Sequence, residues 1–314
     1  MDNILKEINR KKILFDSYKP LPKAVLDNLE EWFRIELTYT SNAIEGNTLT
    51  RQETALIVEK GITVEGKSVR EHLEAINHAE AFSYIQVLAE DKKREELNLQ
   101  DILDIHRIIL KKIDDSDAGR LRSTAVRISG STTILPNPIK VPELMEEFVT
   151  WLQTTTEHPV KVAIDAHYTL VTIHPFVDGN GRTARLLMNF ILMQAGFPPA
   201  IIKKEERNRY LTVLESAQTK DKQDAYYELM HDAINRSLDL YLESIQPNKN
   251  QALIAANAEQ DFYTSDQVAT LLQVDVESVR RYVRRGKLKA VKLGGKFIRI
   301  EKKDLDQFIK QQKG

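Results

Sequence analysis

The stretch HPFVDGNGRTARLLMNFILM, which begins at His174, is compatible with two folds. Gly179-x-Gly181-x-x-Ala184 fits the turn of a dinucleotide-binding unit. That unit needs a strand before the turn, alternating strands and helices around it, and an acid about 20 residues further on. The other fold is a glycine turn that opens a helix among helices. The flanking sequence favours the second. FRIELTYTSNAIEG, REHLEAINHAEAFSYIQVLAED, DILDIHRIILKKID and PELMEEFVTWLQTT all repeat apolar residues at three- and four-residue spacing, the period of an amphipathic helix. Glu205 and Glu206 stand near the distance of the ribose acid but lie within the charged run KKEER. No G-x-x-x-x-G-K-[ST] loop occurs. The expectation is a mainly α fold.

Within residues 174–185 each residue type has a chemistry. Gly179 and Gly181 around Asn180 permit backbone angles that turn successive N–H groups to one point, an anion nest. The helix that follows adds the positive end of its dipole. Arg182 and Arg185, three apart, share a helix face and suit phosphate oxygens. Asp178 in so cationic a place would repel phosphate unless a divalent cation such as Mg²⁺ lay between them. His174, with an ordinary pKa of about 6.5, can accept a proton from a hydroxyl. His167 and His174 lack a third partner at zinc-site spacing.

Composition sets the limits. A chain of 314 residues, 42% hydrophobic and 29% charged, has room for a proper core and two or three domains. The absence of cysteine excludes disulfides, thiolate metal sites and cysteine nucleophiles, and suits a reducing cytoplasm. No apolar run reaches the length of a membrane span and the N-terminus lacks a signal-peptide pattern, so a cytoplasmic location without membrane contact is expected. The whole-chain charge of −1 hides an asymmetry: residues 262–314 carry a net +7, leaving −8 on the rest. A basic segment beside an acidic body points to a polyanion partner.

Three segments depart from the helical pattern. AVRISGSTTILPNPIKVP (residues 125–142), β-branched and interrupted by Gly130, Pro136 and Pro138, reads as a hairpin or extended flap. PNKNQALIAANAEQ (residues 247–260) reads as a linker. The tail reads as helix, helix, hairpin, helix. Its cues are Thr264 or Ser265 and Asp275 as caps, Gly286 as a helix stop, and Gly294-Gly295 between two short alternating strands.

Residues 174–185 match the signature H-P-F-x-[DE]-G-N-G-R-x-x-R of the Fic family with no departures, and the chain resembles that family further in GKSVREHLEAINHAEA, IHRIIL, AGRLRSTAVRISGS and VPELMEEFVTWL. The resemblance covers roughly residues 35–240. It implies a helical enzyme that transfers AMP from ATP, with Mg²⁺, to a Ser, Thr or Tyr hydroxyl of a target protein. By the same resemblance His174 is the general base and Asp178 the Mg²⁺ ligand. Gly179, Asn180 and Gly181 cradle the α- and β-phosphates, while Arg182 and Arg185 bind phosphates, Arg185 the γ-phosphate. The flap, with Ser129, Gly130, Ser131, Thr132, Thr133 and Ile134, pairs with the target's backbone as an added strand.

Ser41-Asn42-Ala43-Ile44-Glu45-Gly46 reads by itself as a polar helix end with a capping glycine. It also resembles the family's inhibitory motif [ST]-x-x-x-E-[GN], placed N-terminal to the signature. The resemblance implies that Glu45 pairs with Arg185 and displaces the γ-phosphate. In some relatives the same glutamate assists AMP removal, so a hydrolase remains an alternative, as does a nucleotide-sensing DNA-binding regulator.

Residues 262–314 resemble an excisionase-like winged helix-turn-helix. Arg280, Arg281, Arg284 and Arg285 crowd its second helix and Lys296 lies beside the hairpin, which implies binding to duplex DNA. A solvated basic helix or a protein-docking module is the other reading. The expected organisation is an N-terminal helical region at 1–95 with the inhibitory motif, a catalytic core with trailing helices at 96–246, a linker at 247–261 and the winged module at 262–314. Self-association is a further expectation from the family.

Overall fold

The computed structural model describes residues 2–21, 23–220, 222–245, 262–272, 274–293 and 297–312. It divides into two compact units, Met1–Leu242 and Glu243–Gly314. Residues 1–95 and the bulk of 96–246 share the first unit. The linker expected at 247–261 lies outside the described residues.

The first unit is helical. Its elements are α1 (Asp2–Ser17), α2 (Lys23–Ile44), α3 (Arg51–Lys60), α4 (Val69–Asp91), α5 (Leu99–Leu110), α6 (Val141–Thr154), α7 (Pro159–Ile173), α8 (Asn180–Gln194), α9 (Arg207–Lys220) and α10 (Asp224–Ile245). Local chemistry sets several starts. Thr50 with Glu53, Ser68 with Glu71 and Asn98 with Asp101 form capping boxes, each satisfying N–H groups that a helix start leaves open. Pro159 occupies the first turn of α7, where a missing N–H costs nothing.

Helix α8 is the axle. The run LLMNFIL is buried throughout, with Leu187, Phe190 and Leu192 at 0% exposure. A helix apolar on all sides must be surrounded, and α2, α4, α5 and α7 pack against it. Truncating one of these side chains to alanine would cost about 2–5 kcal/mol. This packing fixes the N-terminus of α8 against the C-terminal end of α7, and residues 174–179 bridge the two.

Residues 125–137 form no paired strands, and the segment turns at Ser129–Gly130, where Ser131 N–H donates to Ile128 O (3.2 Å). Pro136 and Pro138 cannot donate to a ladder. The Glu215 carboxylate takes the donors instead, accepting from Thr132 N–H (2.7 Å), Thr132 Oγ1 (2.8 Å) and Ser131 Oγ (3.0 Å).

The second unit contains β1 (Phe262–Thr264), α11 (Ser265–Leu272), α12 (Val276–Arg284), β2 (Val291–Leu293), β3 (Phe297–Glu301) and α13 (Lys302–Gln312). The sheet order is β1-β3-β2, all antiparallel, with Tyr263 opposite Ile300 and Lys292 opposite Ile298. β1 was not expected from the sequence: three residues are too few to show a period. Tyr263, Val268, Val279, Leu288, Ile300 and Phe308 form its core. Asp275 caps α12, and Gly286 follows that helix with φ 68°. Gly294, Gly295 and Lys296 lie outside the described residues.

Candidate active site

Gly179 caps α8 with φ 79°, a left-handed conformation open to glycine at little cost. A Cβ there would also stand 3.2 Å from the His106 ring. The Asn180 side chain turns inward, donating to Phe176 O and accepting from Phe176 N–H, both at 2.9 Å. It shapes the loop from inside, holding Phe176 at both its N–H and its carbonyl.

The sequence reading assigned no role to His106. Gly119 N–H donates to its Nδ1 (3.0 Å), so the proton sits on Nε2 and is donated to Asp178 O (2.9 Å). Burial lowers its pKa to about 4, which keeps the ring neutral. The ring stacks on Phe176 with centroids 3.6 Å apart. Together these contacts pin the carbonyl just before the nest.

His174 ends α7 in a left-handed conformation, φ 52°, with its N–H bonded to Leu170 O (2.9 Å). Its Nδ1 faces Val171 O at 3.4 Å, so the Nδ1 proton points there and Nε2 keeps its lone pair. Burial, its largest influence, holds the pKa below the ordinary value. The left-handed residue is held in place by Arg122, a second residue without a role in the sequence reading. Arg122, 3% exposed, donates to His174 O (2.7 Å), Pro136 O (2.8 Å) and Thr124 O (3.1 Å). Its own N–H bonds Pro175 O at 2.8 Å. One guanidinium thus ties the flap to the histidine loop. The segment AGRLRS carried this arginine, but nothing in its spacing told that its partners were carbonyls.

The two arginines of α8 differ. Arg182 is 2% exposed, and its Nε and Nη1 have no hydrogen-bond partner. Its nearest acids are Asp178 at 3.5 Å and Glu74 at 3.6 Å. Arg185 is paired, bonding Ser41 Oγ (2.9 Å), Ser41 O (3.0 Å) and Glu45 Oε1 (2.6 Å) through Nε and Nη2. Burial opposes its charge, yet the Glu45 carboxylate and the Tyr210 hydroxyl outweigh that and raise its pKa. Gly46, φ 101°, turns the chain out of α2 at this point. A Cβ on Gly181 would stand 2.5 Å from Glu45 Oε1, so the carboxylate lies directly over the nest's glycine.

The end of α2 is bolted to α4. Asn42 Nδ2 donates to Glu74 O (3.0 Å) and Asn47 Nδ2 to Glu74 Oε2 (2.9 Å). Asp178 is half exposed and accepts from Gly179 N–H (2.6 Å) and Arg70 (2.8 Å). Among the described residues no cluster of three or more His, Cys, Asp or Glu could cage a metal. One accessible carboxylate beside the glycine turn that opens α8 fits Mg²⁺ only together with ligand oxygens, since Mg²⁺ is commonly held by one or two carboxylates and substrate phosphates.

On the flap, Thr133 Oγ1 bonds Gln218 (3.2 Å), which reaches Thr172 (3.1 Å), and Ile134 is 94% exposed. Ser129 and Gly130 precede them, with Gly130 at φ 77°. In the second unit Arg280, Arg281, Arg284 and Arg285 are all exposed. Arg280 and Arg284 pair with Glu277, and Arg281 donates to Ser278 Oγ (2.9 Å). Among the described residues no helix is long and apolar enough to cross a membrane.

Known proteins resemble both units. The Fic/DOC family profile matches residues 96–192, and a helix-turn-helix domain profile matches residues 262–313. The protein adenylyltransferase Fic of Drosophila grimshawi is 41% identical over 226 residues, 70% of this chain and 46% of that protein. The Aedes aegypti protein of the same name is 41% identical over 220 residues, 69% of this chain and 43% of that protein. The chain therefore spans less than half the length of these curated relatives. A Fic domain-containing signaling protein from Bacteroides thetaiotaomicron superposes with TM-score 0.69 at 28% identity, covering 77% of this chain and 98% of that one. A fragment of Fic-1 from C. elegans superposes with TM-score 0.69 at 33% identity, covering 77% of this chain and 71% of that one. The nest, the histidine loop and these likenesses agree: the chain belongs to the Fic/DOC family.

Proposed function

We propose that the protein transfers AMP from ATP to a hydroxyl group of a target protein, and that Glu45 restrains it. One observation carries the reading. A buried guanidinium with free donors, Arg182, stands in the first turn of α8, the helix that follows the His174 loop, and burial holds the pKa of His174 below its ordinary value. A buried cation without a full set of acceptors is costly unless an anion fills the place.

In the proposed step the target's hydroxyl oxygen attacks the α-phosphorus. A new O–P bond forms, the P–O bond to pyrophosphate breaks, and the hydroxyl proton passes to His174 Nε2. The backbone from Gly179 to Gly181 and the dipole of α8 stabilise charge on the phosphates. Arg182 binds the α- and β-phosphates. Arg185 takes the γ-phosphate once Glu45 leaves. Mg²⁺ on Asp178 would neutralise phosphate charge, and Arg70 would release that carboxylate to it. The target lies along the flap from Ser129 to Ile134, and Ser, Thr and Tyr are all eligible. Cytoplasmic location and self-association belong to the same reading.

A second reading concerns the helix-turn-helix unit. Four exposed arginines on and just after α12, followed by exposed Lys287 and Lys289, favour contact with duplex DNA.

Transfer is tested with α-labelled and, separately, γ-labelled ATP plus Mg²⁺, on wild type, Glu45→Gly and His174→Ala. Label from the α-position alone, stronger in the glutamate variant and lost in the histidine variant, is expected. Supplying AMP-modified target tests the removal reaction. Absence of α-label from every variant would overturn the transfer reading.

A further inference from the structure

Behind Arg185 runs a chain of buried polar groups that the proposed chemistry does not use. His167, 0% exposed, bonds Tyr226 Oη through Nδ1 (2.7 Å) and Tyr210 Oη through Nε2 (2.9 Å). Tyr226 Oη donates to Ile164 O (3.3 Å). Tyr210 in turn acts on Arg185, its hydroxyl oxygen favouring the charge of the guanidinium. Tyr210 is 1% exposed and Tyr226 0%.

The far end favours one polarity for the whole chain. Ile164 O can only accept, and Tyr226 Oη is within donating distance of it. In that polarity Tyr226 accepts from His167, which puts the imidazole proton on Nδ1. With Nδ1 protonated in a neutral ring, Nε2 is an acceptor. Burial, the main influence on His167, lowers its pKa to about 3, so neutrality holds across the physiological range. Tyr210 therefore donates to Nε2 and keeps its lone pairs for Arg185. A single tautomer three links away makes Tyr210 an acceptor, the only kind of partner a guanidinium can use.

We infer that Tyr210, His167 and Tyr226 form a positioning relay for Arg185. The relay gives the guanidinium an acceptor that stays behind when Glu45 leaves. Glu45 is on the mobile side of the exchange with the γ-phosphate; Tyr210 is on the fixed side. Without the relay, a nearly buried Arg185 released by Glu45 would keep only its bonds to Ser41. This inference rests on the reading of Arg185 as a γ-phosphate ligand.

The test is equilibrium binding of ATP and of ADP to the full chain in a Glu45→Gly, His174→Ala background, which removes both restraint and turnover. Tyr210→Phe deletes one oxygen. Losing one hydrogen bond to a charged group should weaken ATP about tenfold relative to ADP. Tyr226→Phe leaves His167 free to move its proton to Nε2. Tyr210 would then turn its own proton toward Arg185, so the ATP-to-ADP ratio should shift the same way. The ¹⁵N shifts of His167, assigned with His167→Gln, should report a neutral ring protonated at Nδ1 from pH 5 to 8.

An unchanged ratio in Tyr210→Phe, while Arg185→Ala changes it, would overturn the relay. So would a parent protein with the His167 proton on Nε2. If Arg185→Ala also leaves the ratio unchanged, the phosphate reading has failed and the tautomer decides. A proton that moves from Nδ1 to Nε2 in Tyr226→Phe retains the relay, and one that does not move removes it. Both tyrosine variants keep the ring volume, and their melting temperatures show whether the fold is retained.

Discussion

Glu45 and Arg185 are separated by 140 residues in the chain and by 2.6 Å between Oε1 and Nη2. The carboxylate also lies over Gly181, so one side chain covers the nest and occupies its second arginine. Glu45→Gly should therefore raise both ATP affinity and α-label transfer, by at least about tenfold if one charge-assisted hydrogen bond is returned to the nucleotide. Glu45→Gln should lie between, since an amide oxygen still accepts but carries no charge. Titration calorimetry and label transfer read the two quantities. Equal ATP affinity in wild type and Glu45→Gly would remove the restraint.

Arg122 gives a prediction the signature does not contain. It holds His174 O, Pro136 O and Thr124 O with one buried guanidinium. Arg122→Ala leaves three carbonyls short of a donor and should cost about 3 kcal/mol of stability. In the Glu45→Gly background kcat should fall more than tenfold while ADP affinity changes little, because the nest is untouched. Arg122→Lys reaches one carbonyl at most and should recover stability better than kcat. A variant with normal kcat would show that the histidine loop needs no such tie.

The pH dependence follows from His174. A general base acts when neutral, and burial holds this group below 6.5. The acid limb of kcat/KM should thus have its midpoint below 6.5, with the base fully available at pH 7. The Glu45 charge raises the same pKa, so Glu45→Gly should move the midpoint lower still. A midpoint above 6.5 would speak against His174 as the titrating base.

Stability should depend on pH with a definite sign. His78 and His167 are depressed to about 3 and His106 to about 4, all mainly by burial. Below about 6.5 the unfolded chain binds protons that these folded rings refuse, so stability falls as pH drops toward 4. Each ring contributes up to about 1.4 kcal/mol per pH unit in that window and nothing above it. Urea unfolding of the helical unit should show a lower midpoint at pH 5 than at pH 7.

For the basic unit the variable is salt. The full chain should bind duplex DNA with affinity that falls steeply between 50 and 200 mM salt. Replacing Arg281 and Arg285 by alanine should reduce the slope of log K against log salt by about 0.9 for each phosphate left without its cation. Binding that does not respond to salt, or no binding, would leave the unit as a protein-docking module.

What the sequence by itself determined is local. Helices α2, α4, α5, α6 and α8, the cap at Asp275, the glycines of the nest and the residue types of 174–185 are short-range patterns. Helical period, capping and left-handed glycine are all written within a few neighbours. The flap was legible as hairpin or extended segment and no further, because proline and β-branched residues say only that a helix is excluded. What the tertiary structure decided is which side chains meet. Arg122 chose carbonyls as partners, His106 took up the carbonyl of Asp178, and the Asn180 side chain closed on the backbone of Phe176. Tyr210 and Tyr226 closed on His167 from α9 and α10, more than 40 positions away. Such pairings arise because the run LLMNFIL of α8 is buried throughout and draws its neighbouring helices into one core. Polar groups carried inside with them must find partners there, and the chain has no local pattern that records which ones.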